Sequence, residues 1–195
     1  MKRRRRFLAA ALAVMLCTGY LVSTLGHRLD HGSSWWHGAD AASRTEGSTT
    51  EVRFAFSPGG QITFGVSIRN PGPWPVTITG VAVDDGPADR HVFKVARLTA
   101  GSPVGEPAAL VFDPATASPL RSTEVGPGRE LPVFVTITIP DVEQAPGGGL
   151  VFDDLAIGYD VLGLPRHQRV PMGFRLFVHS PRGYVPGEDR ERPGN

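Results

Sequence analysis

"QITFGVSIRNPGPWPVTITGV", residues 61–81, decides the fold. Its first half alternates strictly. Ile62, Phe64, Val66 and Ile68 share one face, and Thr63, Gly65, Ser67 and Arg69 take the other. A period of two with one apolar face is the signature of a half-buried strand. Pro71, Pro73 and Pro75 follow at once. Proline cannot donate to a sheet ladder, so pairing should stop near Asn70 and resume at Val76, where Val76 and Ile78 begin a new inward row. Asn70 and Gly72 suit the turn between them. The prolines alternate with Gly72 and Trp74 and lack the P-x-x-P spacing of a proline-rich ligand. Residues 69–78 therefore form a stiff corner between two strands. Trp74 has two readings. It caps the end of the domain, which the apolar area of a buried indole favours, or it presents an aromatic at an interaction surface.

The same alternation recurs on both sides of the corner. PVFVTITIP aligns Val133, Val135, Ile137 and Ile139 against Thr136 and Thr138. DLAIGYDVLG aligns Leu155, Ile157, Tyr159 and Val161, and HQRVPMGFRLFVHS aligns Met172, Phe174, Leu176 and Val178. EVRFAFS (51–57), PVTITGVAV (75–83), HVFKVARL (91–98) and AALVFD (108–113) are further strands. No segment after Leu25 keeps a helical repeat over three turns. Short strands with one apolar face predict an all-β domain over 51–180, an antiparallel β-sandwich of about 7–8 strands. Residues 114–129 and 143–149 are expected loops, and 181–195, charged and proline-rich, an expected disordered tail.

The alternating strand, the asparagine–x–glycine corner and the β-branched strand after it, ITFGVSIRNPGPWPVTITGV, resemble the immunoglobulin-like modules of bacterial cell surfaces, of the CARDB and related types. The resemblance covers about residues 51–180 and implies an immunoglobulin-like sandwich and a surface location. It transfers no catalytic residue. The cysteine pair and core tryptophan of antibody-type domains are absent, since Trp74 lies in the turn. The order of basic stub, apolar run, linker and domain resembles single-pass membrane proteins common in actinobacteria.

The N-terminus sets the compartment. Residues 2–6 read KRRRR, and Phe7 to Leu25 are 19 residues without a charge. A helix of that length spans roughly 28 Å, close to a bilayer's hydrocarbon thickness. The run exceeds the apolar region of a signal peptide, which favours an uncleaved anchor over a cleaved, secreted product. The basic stub 1–6 stays cytoplasmic, 7–25 crosses, and the domain lies outside the cell membrane. Residues 26–50 are polar, small and aperiodic, an expected flexible linker. Its His27 and His31 are expected to be solvated rather than metal ligands, because Gly32, Ser33 and Ser34 oppose a continuing helix. Trp35 and Trp36 could rest at the membrane interface if the linker folds back.

Charge narrows the partners. The chain has 20 Lys and Arg, five of them in residues 2–6, which leaves 15 against 19 acids from His27 onward, a balance of −4. No basic face suits a phosphate backbone, so nucleic acid is not an expected partner. Cys17, the single cysteine, lies in the apolar run and leaves the domain without a disulfide, zinc knuckle or thiol nucleophile. No Gly-x-Ser-x-Gly elbow or phosphate-cradling loop occurs. Asp84-Asp85 and Asp153-Asp154 read as turns rather than as calcium ligands. No catalytic, cofactor-binding or metal-ligating residue is assigned. The sequence predicts a non-enzymatic module that contacts a protein or the cell envelope. The alternative is metal binding or delivery through His91, His167 or His179.

Overall fold

The computed structural model describes residues 11–12, 14–15, 18–20, 24, 26–84, 93–103 and 117–186. Eleven strands run through the described residues: β1 (Asp30–His37), β2 (Ala42–Glu46), β3 (Thr49–Ala55), β4 (Gln61–Arg69), β5 (Val76–Asp84), β6 (Lys94–Ala100), β7 (Ser118–Pro119), β8 (Thr123–Val125), β9 (Glu130–Thr138), β10 (Gly148–Val161) and β11 (Leu164–Ser180). They form two packed sheets, in the orders β1-β4-β9-β6-β7 and β2-β3-β11-β10-β5-β8. The protein is an all-β sandwich.

The alternating rows meet between the sheets. Ile62, Phe64, Val66 and Ile68 of β4 are buried, as are Val133, Val135 and Ile137 of β9. Leu155, Ile157, Tyr159 and Val161 of β10 and Met172, Phe174, Leu176 and Val178 of β11 face them in one core. The Phe64 ring joins the layers: it lies 5.7 Å from Phe152 and edge-on to Phe174 at 6.2 Å, centroid to centroid. Offset and edge-to-face aromatic pairs of this kind add to the apolar area they bury.

Four expectations are corrected. First, the linker expected at 26–50 carries β1 and β2. β1 pairs with β4 from Asp30↔Arg69 to His37↔Phe64, with an irregularity between His31 and Trp35. Gly32, which suggested a flexible chain, is needed there: any Cβ would collide with Ser67 and the Glu130 carboxylate. Trp35 tilts onto Phe174 and Trp36 meets Phe134 edge-on, so both indoles belong to the sandwich. β2 is exposed along its length but forms a hairpin with β3 in which Glu46 pairs with Thr49.

Second, β3 runs parallel to β11, whereas the sheets were expected to be antiparallel throughout. No hairpin joins the two strands, so no local turn dictates their direction. Third, β10 starts at Gly148, inside the loop expected at 143–149, and Asp153-Asp154 occupies an irregularity within it rather than a turn. Between 114 and 129, β7 and β8 are short strands that the absence of alternation concealed. Fourth, the described part of the expected tail is ordered: the Tyr184 and Gln144 backbones exchange hydrogen bonds, and the Tyr184 hydroxyl donates to Asp141 Oδ1 at 2.7 Å.

The strand expected at 108–113, His91, Asp85, Cys17 and the residues beyond 186 lie outside the described residues. So does much of the apolar run, whose described residues from Ala11 to Tyr20 are helical. Among the described residues no helix is long and apolar enough to cross a membrane.

Phe64→Ala would remove the ring that joins both layers. The expected cost is about 3–5 kcal/mol of stability, measured by urea unfolding of the purified chain. A loss below about 1 kcal/mol would mean that this core is not shared between the sheets.

Candidate functional site

The corner after β4 is built around one buried amide. Asn70 has no exposed surface. Its Nδ2 donates to the Trp74 carbonyl and to the Val125 carbonyl, both at 2.8 Å, and its Oδ1 accepts from the Gly72 N–H at 3.1 Å. Its backbone is engaged as well. The Asn70 N–H donates to the Arg129 carbonyl at 3.0 Å, and the Gly128 N–H donates to the Asn70 carbonyl at 2.7 Å. Proline at 71, 73 and 75 removes three backbone donors that would otherwise need partners. The side chain satisfies three of the groups that remain, the Gly72 N–H and the Trp74 and Val125 carbonyls.

A second set of contacts brings the N-terminal segment onto this corner. Gln168 of β11 grips the Leu29 backbone at two points: its Oε1 accepts from the Leu29 N–H at 2.9 Å, and its Nε2 donates to the Leu29 carbonyl at 2.7 Å. The Tyr159 hydroxyl donates to the His27 carbonyl at 3.0 Å. Burial raises the Tyr159 pKa, opposed by the charges of Arg166 and Arg28, and so holds the proton on the hydroxyl that donates. Leu29 is buried in the core.

His27 is the unusual member. It is 6% exposed, and both ring nitrogens are buried without a hydrogen-bond partner. Its ring fills the space a Cβ at residue 72 would need, so Gly72 is required by packing as well as by the turn. Desolvation lowers its pKa, and the neighbouring Asn70 side chain opposes that shift. The expectation of a solvated His27 is corrected. His31 by contrast is exposed, with Nδ1 at 3.0 Å from the Gly32 carbonyl.

Between the corner and this segment lies an open groove of about 410 Å³, lined among others by His27, Arg28, Asp30, Gly72 and Trp74. Trp74 is 39% exposed, so it walls the groove and does not cap the core; the cap expected from the sequence is corrected. Its carbonyl is tied to Asn70 and its position follows Pro73, so the backbone is fixed while the indole faces outward. The sequence singled out Trp74, and Asn70 as a turn residue, but not the grouping with His27, Arg28 and Gln168, which belong to segments that only the fold brings together.

The two described histidines of the metal alternative, His167 and His179, do not converge. Both lie on β11, twelve positions apart, which at strand rise is about 40 Å. His179 rests against Phe177 at 5.4 Å between ring centroids. Among the described residues, no group of three or more His, Cys, Asp or Glu side chains comes together to hold a metal ion.

No family model and no curated protein matches this chain. Among solved structures, it is similar to the VesB protease of Vibrio cholerae, at 12% identity and a TM-score of 0.34, over 73% of this chain and 32% of that one. It is similar to a family 123 glycoside hydrolase from Clostridium perfringens, at 10% identity and a TM-score of 0.37, over 80% of this chain and 27% of the enzyme. A PapD-like domain of human CEP192 aligns at 14% identity and a TM-score of 0.28, over 73% of this chain and 86% of that domain. This chain spans about a third or less of the first two proteins.

Two outcomes follow. Asn70→Ala leaves the Val125 and Trp74 carbonyls and the Gly72 N–H without their partner. It should cost on the order of 3 kcal/mol in denaturant unfolding. His27 gives a pH dependence of definite sign. Its folded pKa is lowered, so above its unfolded value both states are neutral and nothing changes. As the pH falls below that value, 6.5, the unfolded chain binds a proton that the folded chain refuses, and stability drops. Unfolding midpoints from neutral pH downward should show this loss, and His27→Phe should flatten it.

Proposed function

We propose that this chain is a non-catalytic, single-pass membrane protein. It displays one immunoglobulin-like sandwich on the outer side of the cytoplasmic membrane, where the sandwich engages a protein or envelope partner. The carrying observation is the direct attachment to the domain of the end of the apolar run and of the residues that follow it. Thr24 is fully buried, and residues 27–29 are clamped by Tyr159 and Gln168. A domain joined to its anchor in this way stands at a fixed height and orientation on the surface. The basic KRRRR stub ahead of an uncharged run of 19 residues supports the topology, with the stub inside.

The immunoglobulin-like reading rests on the two-layer sandwich, on the asparagine–x–glycine corner and on the resemblance to CARDB-type surface modules. Sandwiches of this kind bind through end loops and free strand edges. Here the groove beside Trp74 is the end site with an exposed aromatic, a residue type enriched at interfaces.

Fractionation tests the proposal. The full chain, expressed in a bacterial host, should stay in the membrane pellet after alkaline carbonate extraction. Its sandwich should be digested or labelled in spheroplasts without lysis. Release by carbonate, or protection until lysis, would contradict it.

A further inference from the structure

We infer that the Trp74 end of the sandwich is itself seated in the outer interface of the bilayer, with Trp74 and Leu162 immersed beside Tyr20. The inference rests on the membrane-anchored reading and adds a second contact with the same membrane.

Three observations carry it. The first is register. Val76 of β5 pairs with Val161 of β10, so Trp74, just before Val76, and Leu162, just after Val161, project beyond the same end of one sheet. Both are exposed, Trp74 at 39% and Leu162 at 37%. The second is a direct contact with the apolar run. The Tyr20 hydroxyl donates to the Leu162 carbonyl at 2.6 Å, and Tyr20 is itself exposed. The exposed Leu12, Val14 and Met15 of the run lead up to that contact. Leu162 is therefore level with Tyr20, six residues short of Gly26.

That level has a consequence for thickness. From Phe7 to Gly19 the run offers 13 residues, about 20 Å as a helix. A bilayer's hydrocarbon core is about 30 Å. Since Tyr20 and Thr24 are already engaged with the protein, the shortfall is met by local thinning of the bilayer together with entry of the end of the sandwich into the interface. Trp and Tyr are the side chains that favour the boundary between acyl chains and headgroups. Arg28 and Asp30 are both exposed in the groove beside Trp74, and Arg28 is the group there that would pair with a lipid phosphate.

The third observation is the turn at Leu162-Gly163. It joins Val161 to Leu164 in two residues, with φ of 50° and 81°. A two-residue hairpin with both φ positive favours asparagine or aspartate before glycine. A bulky residue in that conformation is an outlier. Leucine gives up turn stability at a position where its side chain is exposed, which is what an immersed hairpin tip requires.

The test is tryptophan quenching in the full chain. It is reconstituted in vesicles of three parts phosphatidylcholine to one part phosphatidylglycerol, with bromine placed near the glycerol end of the acyl chains. The difference between the wild type and Trp74→Phe isolates the Trp74 emission from Trp35 and Trp36. That emission should fall by about half with brominated lipid and resist aqueous iodide. Leu162→Asn, which suits the turn, should keep the sandwich folded and reduce the lipid quenching about twofold. If the chain resists carbonate extraction but Trp74 is blind to brominated lipid and open to iodide, the interface seat is wrong and the anchor stands. If carbonate releases the chain, both are wrong. Unchanged quenching in Leu162→Asn would overturn the part assigned to Leu162.

Discussion

A single buried side-chain amide, that of Asn70, is the constraint on which the end of this sandwich depends. Asn70 closes β4, a strand of one sheet, and donates to the Val125 carbonyl at the end of β8, a strand of the other. It thus ties the two layers where the hydrophobic rows run out. Buried amides cost free energy unless every donor and acceptor finds a partner. Here both amide hydrogens, the amide oxygen, the backbone N–H and the backbone carbonyl are all engaged. These five hydrogen bonds constrain the backbone of the corner.

From that corner the remaining features follow in order. The Gly72 backbone, held by Asn70, leaves room only for the His27 ring. His27 continues into Leu29, whose backbone Gln168 holds as a strand neighbour would. Leu29 leads into β1, which adds to the five-stranded sheet beside β4. The segment after the apolar run is thereby part of the domain. Such an attachment fixes which end of the sandwich faces the run, and so gives the groove beside Trp74 its position.

The strands with one apolar face were legible in the sequence because the sandwich interior rewards a period of two and nothing else. The rows of β4, β9, β10 and β11 need no tertiary information to be found. β1 was not legible, because its glycine and serines look like linker. Gly32 is required for a close approach to Ser67 and Glu130, which only the fold reveals. Two-letter strands such as β7 are too short to show a period. The parallel pair of β3 and β11 joins segments more than a hundred residues apart, beyond the reach of any local turn rule. At the site, Trp74 stood out as an aromatic among prolines. Its exposure did not, since the same residues suit a cap or a wall. His27 stood out only as one of the histidines in a polar segment, which reads as solvated; its burial gave no signal, because the packing of an unpartnered imidazole depends on Gly72, 45 positions away.

The central claim is that residues 26–29, the Asn70 corner and the core strands form one rigid unit. Native-state hydrogen exchange of the Leu29 and Gly72 amides tests it most directly. Each amide donates to a side-chain oxygen of the clamp, Gln168 Oε1 and Asn70 Oδ1 respectively. Both should exchange only when the whole sandwich unfolds, with the same free energy as amides in the centre of β9. Fast exchange at Leu29 and Gly72 while β9 stays protected would contradict the account, and would make the segment after the apolar run a loose tether.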